Sequence, residues 1–184
     1  LRINGNKPRT ISFWMYAENG QKNQAGPYGI GQRNNNYRTW AIRSFWNGNY
    51  RQFRVQHWGW DPDVYVSEGV RDRWAHVAHI YTGTNVQVYV DGSMRRDWVQ
   101  PSISTGSAYA LQIGRWTEEN NNLNRTFKGC IDDFRVYSAA FTNDEVKLLY
   151  GGGLGDFSVI PTFSLDRVVD GDPVAGEVSF LRAG

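Results

Sequence analysis

RWAHVAHIYTGTNVQVYVDGS, residues 73–93, is the stretch that decides the fold. It holds two alternating runs, 74–83 and 85–92, and in the second Val86, Val88 and Val90 share one face. That period of two is the pattern of a strand with one buried face. Asp91-Gly92 then supplies residue types that tolerate positive φ, so a tight turn leads into SMRRDWV.

The same pattern extends in both directions. TISFWMYA (10–17) alternates Ile11, Phe13 and Met15 against Ser12, Trp14 and Tyr16. YRTWAIRSFW (37–46) and YRQFRVQHW (50–58) flank Asn47-Gly48-Asn49, a hairpin signal. ALQIGRW (110–116) and TFKGCIDDFRVYS (126–138) complete the set, with a bulge expected at Asp132-Asp133. Short strands punctuated by Gly, Asn and Asp predict an all-β chain of two antiparallel sheets. Trp14, Trp40, Trp74, Val77 and Ala78 read as core positions, and Phe134 and Val136 as apolar on one face.

One short helix is expected at TNDEVKLLY, 142–150. Thr142 and Glu145 form a capping box, Asn143 and Asp144 suit the positive end, and Gly151 follows as the stop. Val146, Leu149 and Tyr150 then share a face able to close one end of the sandwich. Residues 1–155 read as the domain, and 156–184, after a glycine run, as a returning strand or the opening of a further module.

With 184 residues the chain can bury one sizeable core, and its 27 aromatic residues suit a β composition. No run of about eighteen apolar residues occurs, so no membrane insertion is expected. The opening LRINGNKPRT carries no basic-then-apolar leader. Cys130 is the single cysteine and cannot form an internal disulfide. A formal charge of +2 does not mark a nucleic-acid binder. Sixteen of the twenty basic residues are arginine, which forks onto carboxylate or sulfate and stacks on rings; compositional bias is the alternative.

Taken in order, ISFWMY (11–16), residues 73–93, LQIGRW (111–116) and FKGCIDDFRVYSAAFTNDEVKLLY (127–150) resemble the laminin-G-like jelly-roll domains of the concanavalin A-like lectin/glucanase superfamily. The resemblance implies a two-sheet jelly-roll β-sandwich of a secreted or cell-surface protein. Freedom from disulfides is ordinary for such proteins in bacteria. It also implies glycan or protein binding and, in some members, calcium. The strand and Asp-rich loop that usually precede the first run are replaced here by LRINGNKPR.

RVQHWGWDPD, residues 54–63, is the candidate site. Gln52, Arg54, Gln56, Trp58 and Trp60 share parity, whereas Phe53 and Val55 form the core face. A polar strand face ending in two rings suits a sugar-binding surface, where rings stack on pyranose faces and Arg and Gln bond hydroxyls or carboxylates. The expected ligand residues are Arg54, Gln56, Trp58 and Trp60, with Arg43, Trp46 and Trp98 as additions. The expected partner is a polysaccharide; protein domains of a larger parent chain are the alternative.

Calcium ligands are sought at Asp61 and Asp63, and at Asp132 and Asp133; the alternative for Asp132 is capping of backbone N–H groups at the bulge. His76 and His79 fall on opposite faces without ligand partners at metal spacing. No Glu-x-Asp-x-x-Glu motif of a glycosidase is present. A lyase built on Tyr50, Arg54, Gln56 and His57 is disfavoured, because adjacent Gln56 and His57 point to opposite faces. The expected function is therefore binding without catalysis.

Overall fold

The computed structural model describes residues 3, 5–22, 25–31, 38–44, 53–57, 64–66, 69–100, 103–105, 111–116, 126–152, 161–162 and 179–180. Two five-stranded antiparallel sheets form a jelly-roll sandwich, as expected. In chain order the strands are β1 (Arg9–Ala17), β2 (Tyr28–Gly31), β3 (Thr39–Ser44), β4 (Phe53–Gln56), β5 (Val64–Val66), β6 (Trp74–Tyr81) and β7 (Asn85–Val90). They continue with β8 (Ser93–Val99), β9 (Gln112–Ile113) and β10 (Gly129–Tyr137), then helix α1 (Asn143–Gly152), β11 (Pro161–Thr162) and β12 (Ser179–Phe180). The first sheet runs β10-β1-β6-β7-β8 and the second β5-β4-β3-β2-β9. In the tail, β11 and β12 pair with each other.

The core lies between the sheets. Ile11, Phe13 and Met15 of β1, Val77 of β6 and the three valines of β7 meet Tyr28, Ile30, Trp40, Ile42, Phe53 and Val55 from the second sheet. Asp91 and Gly92 both take positive φ, 51° and 72°, at the predicted turn. A Cβ on Gly92 would also come within 2.9 Å of the Tyr150 ring, so the turn needs glycine on two counts.

The bulge is present in β10. Ser12 pairs with Arg135 and Trp14 with Asp132, so two residues oppose Phe13. Asp133 takes φ 48° there, and the next ring, Phe134, stacks on Phe13 at 5.4 Å.

Helix α1 carries the expected capping box. Thr142 N donates to Glu145 Oε2 at 2.7 Å, and Glu145 N donates back to Thr142 Oγ1 at 3.3 Å. The helix does not close an end of the sandwich; it covers the outer face of the first sheet. Val146 packs with Ala78, Ile80 and Tyr89, and Tyr150 stacks on Trp14 at 5.7 Å. This cover explains why β6 is buried on both faces after its first residue. Trp74 is that first residue and is 45% exposed, so its expected core place is corrected. It shares the outer face with Tyr16, its cross-strand partner, away from the core cluster.

Candidate ligand-binding face

The period-two reading of β4 holds in register. Phe53 and Val55 point to the core, so Arg54 and Gln56 stand on the opposite face of the second sheet. Antiparallel pairing builds two rows there. Gln112, Gly29, Ala41 and Gln56 form one across β9, β2, β3 and β4. Arg43 directly faces Arg54 in the next.

This face is less open than its polarity suggests. Arg43 is 4% exposed and Gln56 6%, whereas Arg54 and Gln112 are half-buried. Part of the cover is Trp116, itself fully buried, with the Arg43 guanidinium over its ring at 5.2 Å. Gly26 lets Trp116 close in, since a Cβ there would lie 3.1 Å from the Trp116 Cβ and 2.3 Å from the Ile42 carbonyl oxygen. The Oε1 atoms of Gln56 and Gln112 are buried without a hydrogen-bond partner among the described residues. Leaving a buried acceptor unmade costs about 1–3 kcal/mol, and native structures hold few such atoms.

Sequence reasoning did not single out Trp116. It was read only as the last residue of LQIGRW, one of the blocks that carry the family resemblance. Trp98, an expected addition to the site, belongs elsewhere. It pairs with Val86 and packs on the core cluster, 6.0 Å from the His57 ring. Trp46, Trp58, Trp60, Asp61 and Asp63 lie outside the described residues.

The inter-sheet core holds a second polar group that sequence reading missed. Arg9 is fully buried, with its guanidinium bonded to the carbonyls of Ile3, Gly5 and Lys7 and to Thr105 Oγ1. Burial, partly offset by Tyr81 and Tyr28, lowers its pKa to about 10. Nearby, Tyr28 Oη meets His79 Nδ1 at 2.5 Å, and His79 Nε2 meets His57 Nε2 at 3.4 Å. Burial, followed by the charge of Arg9, lowers the His57 pKa to about 3. His57 is thus neutral and 1% exposed, in no position to take a proton from a substrate. His76 lies on the face of β6 opposite to His79, as expected, but on the outer side under the helix, its Nε2 and Ser12 Oγ 2.8 Å apart.

Asp132 and Asp133 are both engaged within the chain. Asp132 Oδ1 accepts from Asp133 N at 2.7 Å, which is bulge capping. Asp133 Oδ1 accepts from Arg135 Nε at 2.5 Å, so a guanidinium already occupies that carboxylate. Among the described residues no group of three or more His, Cys, Asp or Glu gathers as a metal set. No helix among them is long and apolar enough to cross a membrane.

The family model Laminin_G_3, described as concanavalin A-like lectin/glucanases superfamily, matches residues 2–147. No curated protein sequence matches the chain. Among solved structures it resembles domain 4 of AbnA, a GH43 extracellular arabinanase from Geobacillus stearothermophilus, in complex with arabinotriose. That match has 22% identity and a TM-score of 0.57, covering 81% of this chain and 68% of that one. A putative carbohydrate-binding protein from Bacteroides ovatus matches at 17% identity and TM-score 0.62, over 80% of this chain and 42% of that one. The CBM40 of the Ruminococcus gnavus IT-sialidase matches at 13% identity and TM-score 0.62, over 79% and 84%. At these identities the likeness is one of fold.

Proposed function

The chain belongs to the concanavalin A-like lectin/glucanases superfamily, and on that premise we propose that it is a non-catalytic carbohydrate-binding module of a secreted or cell-surface protein, bacterial in origin. The observation that carries the reading is the pair of buried Gln56 and Gln112 acceptors at the two ends of one cross-strand row. A sugar chain lying across the strands supplies hydroxyl donors to both. Arg54 and Arg43 line the same face, and Trp58 and Trp60, which share the sequence parity of Gln56 and lie outside the described residues, are proposed as stacking rings. The named functions of the neighbours accord with this: one is part of an arabinanase solved with arabinotriose, another is the CBM40 of a sialidase.

Non-catalysis is supported by the burial of His57, the base a lyase on this strand would need. The competing reading, a structural or adhesive module that contacts other protein domains, is favoured by the closure of the face over Arg43 and Gln56.

Affinity electrophoresis through gels containing polyuronates, arabinan or β-glucan tests the proposal. At least one polysaccharide should retard the protein, with no unsaturated uronate and no new reducing ends released. Sustained release by pure protein, lost in His57→Ala, would overturn the binding-module reading.

A further inference from the structure

Resting on the glycan-binding reading, we infer that the ligand is a neutral oligosaccharide read through pairs of adjacent hydroxyls, one pair at Gln56 and another at Gln112. Gln112 of β9, Gly29 of β2, Ala41 of β3 and Gln56 of β4 are successive cross-strand partners in the second sheet. Direct partners stand on one face, here the face opposite Tyr28, Ile42 and Val55 of the core, so both amides rise from the same side. Three interstrand spacings set them about 14 Å apart at the backbone, a span that suits several sugar residues lying across the strands.

Gln56 is 6% exposed and Gln112 half-buried, and the Oε1 atom of each is buried with no hydrogen-bond partner among the described residues. Native structures leave few such acceptors, and two at the ends of one row ask for a common donor. Beside each oxygen the same amide carries an N–H₂ group. A carboxamide therefore sets an acceptor next to a donor, the complement of two hydroxyls on adjacent ring carbons. One hydroxyl donates to Oε1 while its neighbour accepts from Nε2. Burial holds the Gln56 amide in one place, so it meets both groups together, which selects adjacent hydroxyls over separated ones.

Nothing in this row asks for charge. Between the amides stand a glycine and an alanine, which offer only backbone and a methyl group. Arg43 and Arg54, in the next row, are both engaged within the chain already, Arg43 over the Trp116 ring. An acidic group on the ligand would compete with those contacts, whereas a hydroxyl on Gln56 or Gln112 meets an oxygen that has none.

The test is affinity electrophoresis of the protein through linear 1,5-linked arabinan, linear 1,4-linked galactan, linear 1,3-linked glucan and sodium polygalacturonate. Arabinan and galactan keep adjacent hydroxyls on every sugar of the chain, and the 1,3-linked glucan has none within it. Arabinan or galactan should bind at least tenfold more tightly than the glucan, and polygalacturonate no more tightly than they do. The same neutral polymer, oxidised with periodate and reduced with borohydride, has the carbon–carbon bond between its adjacent hydroxyls cut and should lose that binding. Gln56→Met and Gln112→Met should each weaken it tenfold or more, with a melting temperature no lower than the parent's. Glucan bound as tightly as either, or binding that survives periodate, would overturn the hydroxyl-pair reading and leave the glycan reading standing. Polygalacturonate bound tenfold more tightly would overturn the neutral ligand. Selective binding kept by both variants would overturn the amide pair. No binding to any polymer would overturn the glycan reading itself and this inference with it.

Discussion

The imidazole of His79 lies flat on the indole of Trp40, ring centroids 3.7 Å apart and planes within 8°. His79 comes from the first sheet and Trp40 from the second, so the stack joins the two layers through their centre. Tyr28, His57 and Arg9 surround it, and no carboxylate among the described residues bonds to this group. Trp40 is fully buried, so Trp40→Ala should cost about 3–5 kcal/mol in chemical denaturation, the range for deleting a large core ring. A loss under about 1 kcal/mol would mean the layers do not depend on the stack.

The same cluster predicts an acid-labile fold. Burial lowers His57 to about 3 and, on the helix side, His76 to about 4, both below the ordinary value near 6.5. The native state keeps them neutral while the unfolded chain takes up protons below that ordinary value. Their contribution is therefore complete above pH 6.5 and is lost as pH falls toward 4, at about 1.4 kcal/mol per pH unit for each histidine. Denaturation midpoints from pH 7.5 to 4.5 measure this. His57→Gln should make the dependence shallower, and an unchanged slope would contradict neutral burial.

Each bulge carboxylate already accepts a hydrogen bond from the chain itself, so we propose that calcium stabilisation acts through Asp61 and Asp63. We predict that any rise in melting temperature with calcium over chelator is kept in Asp132→Asn and lost in Asp61→Asn or Asp63→Asn. An ion at about 100 times its dissociation constant contributes about 2.7 kcal/mol, a readily measured shift. Loss of the rise in Asp132→Asn would reinstate the bulge carboxylates as ligands.

Gly92 couples the β7–β8 turn to helix α1 through Tyr150. Gly92→Ala places a side chain at φ 72° and against the ring, so a loss of at least about 1–2 kcal/mol is expected from the backbone alone. Thermal melts check it: each 1 kcal/mol is worth about 2–4 °C in a chain of this size. An unchanged melting temperature would show that the turn and helix tolerate a Cβ.

Much of this architecture was legible because a strand with one buried face writes a period of two into its residues. Val86, Val88 and Val90, the split of β4 into Phe53/Val55 against Arg54/Gln56, and the capping box of Thr142 and Glu145 were all readable locally. β2 was not, since Tyr-Gly-Ile-Gly carries too little side chain to show a pattern. Trp74 misled because composition says that tryptophan is buried, while the helix that buries the rest of that face leaves the start of β6 uncovered. The closure over Arg43 and Gln56 was invisible for a related reason. Trp116, distant in the chain, supplies part of it. The inward turn of Arg9 depends on carbonyls of Ile3, Gly5 and Lys7, and backbone groups leave no mark in a sequence.

Gln56 offers the most direct test of whether this face is built for a ligand. Its buried Oε1 burdens the free protein, and Gln56→Met keeps the length while removing the unmet acceptor. The measurement is the melting temperature and polysaccharide affinity of that single variant beside the parent. A binding face predicts an equal or higher melting temperature together with affinity reduced tenfold or more. A lower melting temperature with affinity unchanged would make Gln56 a structural residue and contradict the assignment of this face.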